Sequence, residues 1–184
     1  MFRRNPIPVW VGILVLSGIF LIGQDCAAQI VNFPDPNLEQ AIRDAIGKPT
    51  GDIYAADLVG LTDLDASSAS ISDLTGLEYC TDLTSLNLYG NDIVDVSPLS
   101  GLTSLLYLHL GGNQIVNLSP LSGLTSLLRL TLSSNPIVDL SPLSGLTNLD
   151  VLWLWSNPIV DVSPLSGLTE QPSAISRGVQ GGSI

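Results

Sequence analysis

The chain has 184 residues, of which 45% are hydrophobic and 12% charged, and 17 acidic residues face 6 Lys and Arg. A formal charge of −11 argues against a nucleic-acid partner, because phosphates need clustered cations, and against electrostatic docking on anionic lipid. A single histidine leaves little scope for acid–base catalysis or a transition-metal centre.

Residues 1–28 read as an export signal. Arg3 and Arg4 form a basic start, Val9 to Gly23 is an apolar run of 15 residues, and Cys26-Ala27-Ala28 puts small residues before a cut at Gln29. The alternative is a retained anchor, but the run is short for a membrane span, which needs about 20 residues. Removing Arg3, Arg4 and Asp25 leaves 4 basic against 16 acidic residues, a balance of −12. It also leaves Cys80 alone, so the processed chain holds no intrachain disulfide.

Residues 29–60 predict a helical N-terminal cap. Asp35 is a good N-cap and Pro36 a good first helical residue. Leu38, Ala41, Ile42, Ala45 and Ile46 then form one apolar stripe, and Gly47 ends the helix. Ile53 to Leu58 reads as a second short helical piece leading into Leu61.

Residues 61–169 are dominated by a period. Asn91, Asn113, Asn135 and Asn157 recur every 22 residues, each preceded by L-x-x-L-x-L and followed by Ile. A degenerate copy at Leu61, Leu64, Ala66, Ala69 and Ile71 comes first. Such self-similarity marks a leucine-rich-repeat solenoid. L-x-L is the two-residue period of a strand with both leucines on one side. The asparagine amide suits a bend, where it can satisfy buried backbone groups. Ser97-Pro98-Leu99 and its copies at 119, 141 and 163 predict a short 3₁₀ turn on the return leg, with Ser as N-cap; Gly101, Gly123, Gly145 and Gly167 suit its exit. The column Asp73, Asp95, Asn117, Asp139 and Asp161 can bond within that turn; a calcium role is disfavoured, because calcium needs six to eight converging oxygens. Cys80 aligns with Leu102, Leu124, Leu146 and Leu168, so it reads as a buried apolar thiol. The expected fold is an α/β solenoid: a right-handed superhelix with a parallel concave sheet of about five short strands, 3₁₀ turns on the convex side and a helical cap. Residues 170–184 lose the period and read as a disordered tail, which leaves the last coil poorly covered.

The segment FPDPNLEQAIRDAIGKP, followed by 22-residue repeats ending in D-V/L-S-P-L, resembles the internalin-type leucine-rich-repeat proteins of bacteria. The resemblance covers about residues 30–169. It implies a curved array that binds proteins or glycans on its concave sheet, in an exported bacterial protein of the cell envelope or outside the cell. Pathogen internalins carry more repeats, an immunoglobulin-like domain and a surface anchor, so the resemblance implies recognition without naming a receptor.

The variable residues of x-L-x-L-x face out from the sheet. Tyr89, Tyr107, His109, Arg129, Trp153 and Trp155 fall in these rows and are the candidate partner-binding residues. Exposed aromatics in rigid rows suit protein contacts or sugar stacking; aromatic packing between neighbouring strands is the other reading. For Trp153 and Trp155 binding is favoured, since nothing after them covers the sheet. Catalysis by His109 is disfavoured, because its lateral neighbours Asn87 and Thr131 offer neither a carboxylate to orient it nor an activated nucleophile. The sequence thus predicts a non-enzymatic recognition module for a protein or glycan. It needs no cofactor, does not bind nucleic acid, and has no membrane contact after signal cleavage. A self-assembling role, with a homo-dimer formed through the C-terminal end, is the alternative.

Overall fold

The computed structural model describes residues 29–168 and the backbone of Ile175–Ser176. The expected signal peptide and most of the expected tail lie outside the described residues.

The cap forms as its sequence dictates. Helix α1 spans Pro36–Ile46, with Asp35 at the N-cap accepting from the Asn37 and Leu38 N–H groups and Gly47 closing it at φ 65°. Leu38 and Ile42 are fully buried and Ala41 and Ile46 pack partly against the core, whereas Ala45 at the end of the stripe is exposed. The second helical piece is shorter than expected. It is a 3₁₀ turn over Ala55–Leu58, because Ile53 and Tyr54 are held extended by the Val31 N–H to Ile53 carbonyl bond and an antiparallel bridge between Ile30 and Tyr54.

The repeats then stack as coils. Strands β1 (Asp63–Asp65), β2 (Ser85–Asn87), β3 (Tyr107–His109), β4 (Arg129–Thr131) and β5 (Val151–Trp153) form one parallel sheet in chain order. The register keeps Leu64, Leu86, Leu108, Leu130 and Leu152 side by side. The sheet has a sixth strand where the sequence predicts about five: β6 (Ile175–Ser176) pairs parallel to β5 inside the segment read as a disordered tail. Its partners, Leu152 with Ile175, are 23 residues apart, one more than the repeat period, which is why the leucine pattern does not reveal it. The edge beyond Trp153 is therefore not bare, as the sequence suggested.

One apolar core runs from Val31 in the cap to Leu168 in the last described coil, with Cys80 fully buried in its leucine column. Burial pushes the Cys80 thiol up to about 12, so it stays uncharged and unreactive. The asparagines build the expected ladder. Asn135 accepts the Ile115 N–H of the preceding coil at 3.0 Å and donates to the Leu110 and Leu132 carbonyls at 2.9 and 3.0 Å. Each amide thus ties two coils together while satisfying buried backbone.

Two expectations about the turns need correction. Ser97, Ser119 and Ser141 are the first residues of their 3₁₀ turns rather than N-caps. The N-cap position falls on Val96, Leu118 and Leu140, which offer no side-chain bond. The residue before it braces the turn: Asp95, Asn117, Asp139 and Asp161 accept from the Ser N–H groups at 2.8–3.0 Å. Their Ser partners hold the Asp95, Asp139 and Asp161 carboxyls below the usual carboxylate range. Nor do Gly101, Gly123, Gly145 and Gly167 adopt left-handed backbone. That conformation falls on another 22-residue column, Ser68, Gly90, Gly112, Ser134 and Ser156. These residues stand before the ladder positions, where the chain must reverse to turn the amide inward.

Candidate functional site

The concave face is built by the outward positions of three-residue strands, whose register lines up residues of the same rank. Tyr89, Tyr107, Trp153 and Trp155 each keep 42–44% of their surface exposed. Large aromatics normally bury more than this, since each carries an apolar surface of about 150–250 Å².

The middle of the face is organised around two ring contacts. The Tyr89 and His109 rings stack with centroids 5.0 Å apart and planes 21° apart. The Arg129 guanidinium lies over the Tyr107 ring, 5.8 Å from its centroid, close enough for a cation–π contact. Between them lies a depression of about 290 Å³ lined by Leu86 and Leu108 together with Ser85, Asn87, Tyr107, His109, Arg129 and Thr131. Partial burial pushes the His109 imidazole below its ordinary pKa, and the charge of Asp65 only partly offsets this. The ring is therefore neutral near pH 7.

Not every outward position reaches solvent. Gly111 and Ser133, which the alternation places on the face, are buried. A Cβ on Gly111 would meet the Ser133 carbonyl oxygen at 3.3 Å and the Tyr89 and His109 rings at ordinary contact distances of 3.4 and 3.5 Å, so the backbone of the next coil crowds this position most. The hydroxyls of Thr131 and Ser133 are buried without a hydrogen-bond partner among the described residues.

Of the six candidates, Tyr107, His109 and Arg129 meet in one depression, and Tyr89 joins them through His109. Trp153 and Trp155 stand one coil further on, Trp153 opposite Thr131, and neither is in a stacked ring pair among the described residues. The aromatic-packing reading thus describes Tyr89 and His109. Sequence reasoning missed a second groove, of about 640 Å³, between α1 and β1, with Ala41, Ala45, Asp44 and Asp65 on its walls. The exposed Ala45 at the end of an otherwise buried stripe belongs to it.

The model for Leucine Rich repeats (2 copies) matches residues 81–123, 103–144 and 125–167. The fold resembles the crystal structure of an internalin, InlF, from Listeria monocytogenes str. 4b F2365, with 37% identity, a TM-score of 0.72, and coverage of 74% of this chain and 41% of that one. The chain is an internalin-type leucine-rich-repeat protein. A second internalin, the functional domain of InlJ from Listeria monocytogenes, aligns with 33% identity and a TM-score of 0.67 over 77% of this chain and 32% of that one. The InlJ domain includes a cysteine ladder, whereas the present internalin-type chain has one cysteine among its described residues, Cys80, and leucines at the next four turns. The chain spans less than half the length of either internalin. No curated protein sequence matches.

Proposed function

We propose that the chain is an exported, non-enzymatic recognition module that binds a protein through its concave face. The observation carrying this reading is the exposure of Tyr89, Tyr107, Trp153 and Trp155 on one rigid sheet. Leucines facing inward complete the scaffold; tryptophans facing outward add nothing to it, and large exposed aromatics are typical anchors of protein interfaces. His109 meets a stacked tyrosine ring, an amide and a hydroxyl, and the Asp65 carboxylate acts on it through charge. No nucleophile lines the depression beside it apart from hydroxyls without an activating base, which supports binding rather than bond cleavage. Export to the cell envelope or medium rests on the signal-like residues 1–28, and no helix among the described residues is long and apolar enough to cross a membrane. The test is capture of partners from culture medium and host extracts by the wild type and by a Trp153→Ala/Trp155→Ala variant. Capture lost in the folded variant supports the reading; equal capture by both refutes it.

A second reading, self-association through the C-terminal end, draws on the slight opening of the core there. Leu149, Leu154, Ile159 and Leu168 are 5–7% exposed, whereas Leu127, Leu132, Ile137 and Leu146, one coil earlier, are completely buried. Light scattering across micromolar concentrations tests it, and a monomer throughout counts against it.

A further inference from the structure

We propose that the depression beside Arg129 is a carboxylate subsite, seating an Asp or Glu side chain of a protein partner. The proposal rests on the concave-face reading and adds the chemistry that the face selects.

The chain presents very little positive charge, and where that charge goes is informative. Arg43 is paired with Glu39 at 2.7 Å and Lys48 with Asp57 at 2.6 Å, both in the cap. Arg129 is the remaining cation among the described residues, and no carboxylate among them lies within ion-pair reach. Its guanidinium is instead braced over the Tyr107 ring, which limits its freedom without neutralising it. A pre-positioned guanidinium is the side chain best shaped to take a carboxylate by two parallel hydrogen bonds.

The other walls supply donors. The Asn87 carbonyl oxygen already accepts the Tyr89 N–H at 3.1 Å, and its amino group, turned towards Asp65, has a second hydrogen to offer. Thr131 also lines the depression, and its hydroxyl is buried without a partner among the described residues; a buried donor left unmet costs about 1–3 kcal/mol. A ligand oxygen reaching it after a small shift of a neighbouring side chain removes that cost. The position also avoids the acidic end of the face. Asp63 and Asp65 stand on β1, three strands from Arg129, roughly 14 Å at the usual strand spacing and beyond the screening length of about 8–10 Å at physiological salt.

An acidic side chain fits better than an acidic sugar. Sugar recognition uses an open aromatic face, and here Arg129 lies over one face of the Tyr107 ring. What remains is a small depression with Leu86 and Leu108 among its lining residues and Arg129 and Asn87 on its walls, suited to a slim group whose methylenes meet the leucines and whose charged end meets the guanidinium.

The experiment follows the Arg129 Nε–H and Trp153 indole signals of the full chain by NMR. The probes are acetyl-Ala-Glu-Ala-amide, its Gln counterpart and D-galacturonate. The expected result is saturable movement of the Arg129 signal with the Glu peptide, at least about 10-fold weaker with the Gln peptide, as expected for loss of a charge-assisted contact. Read at the Trp153 indole signal, which the variants keep, Arg129→Gln should remove the response and Arg129→Lys retain part of it, both with little change in melting temperature. Equal responses to the Glu and Gln peptides, or tighter binding of galacturonate, overturn the proposal; because that comparison uses the wild type, a misfolded variant cannot obscure it. Partner capture separates the two readings. Loss in the double-tryptophan variant with full retention in Arg129→Gln removes the subsite and leaves the concave-face reading standing.

Discussion

Asp35 reaches across from the cap to Ser72: its Oδ2 accepts the Ser72 N–H at 2.8 Å and the Asp73 N–H at 3.3 Å, while its Oδ1 caps α1 through Asn37 and Leu38. One carboxylate thus starts the helix and fastens it to the first coil. Burial raises its pKa, but the four backbone donors outweigh burial and hold it below the ordinary value of 3.8. A carboxyl whose folded pKa is lowered stabilises the protein fully above the unfolded value, and loses that contribution as pH falls through the folded one. Asp35→Asn should therefore lower the urea midpoint at pH 7, by about 2–3 kcal/mol in stability. The gap from wild type should be constant above about pH 5 and narrow as pH falls below it, towards and through the lowered folded pKa. A gap that stays constant as pH falls through that region contradicts the assignment.

Gly76 marks where the cap meets the repeats. It occupies the column that holds Pro98, Pro120, Pro142 and Pro164 in later coils. Its φ is 102°, and a Cβ there would lie 2.5 Å from the Phe33 ring and 2.9 Å from the Asn32 carbonyl oxygen. The cap's aromatic ring takes the space that proline fills elsewhere. Gly76→Ala combines left-handed strain with overpacking, so thermal unfolding should show a loss of about 2–4 kcal/mol. Gly145→Ala, with open space and ordinary φ, should change stability by less than about 1 kcal/mol.

Ser134 and Ser156 sit at φ 55° and 57° in the column that Gly90 and Gly112 occupy in the preceding coils. A side chain in left-handed backbone costs about 1–2 kcal/mol, partly offset in glycine by its freer unfolded chain. Ser134→Gly and Ser156→Gly should each raise stability by up to about 1 kcal/mol in urea titrations. Destabilisation of both would mean that the hydroxyls do more than occupy a turn.

The leucine spine, the asparagine ladder and the capping helix were legible because each is stated by residue type and repeated or bracketed in the chain. Asn91, Asn113, Asn135 and Asn157 announce a bend whose bonds depend only on the adjacent coil. What was not legible depends on distant neighbours. The glycine at 76 is explained only by Phe33, more than forty residues earlier. The burial of Gly111 follows from the Ser133 carbonyl and the stacked Tyr89 and His109 rings, which adjoining coils bring around it. The left-handed column was hidden because serine stands in three of its five places. On the concave face, the outward rows were readable from period two, but the pairing of Arg129 with Tyr107 needed the register of β3 against β4.

Hydrogen exchange of the free chain and of its complex with a captured partner tests recognition by the concave face most directly. Added protection should be confined to β2 through β5 and the turns that follow them, strongest around Trp153 and Trp155. Protection concentrated on the convex 3₁₀ turns at Ser97–Leu99, Ser119–Gly123 and Ser141–Leu143, with the concave strands unchanged, would contradict the account.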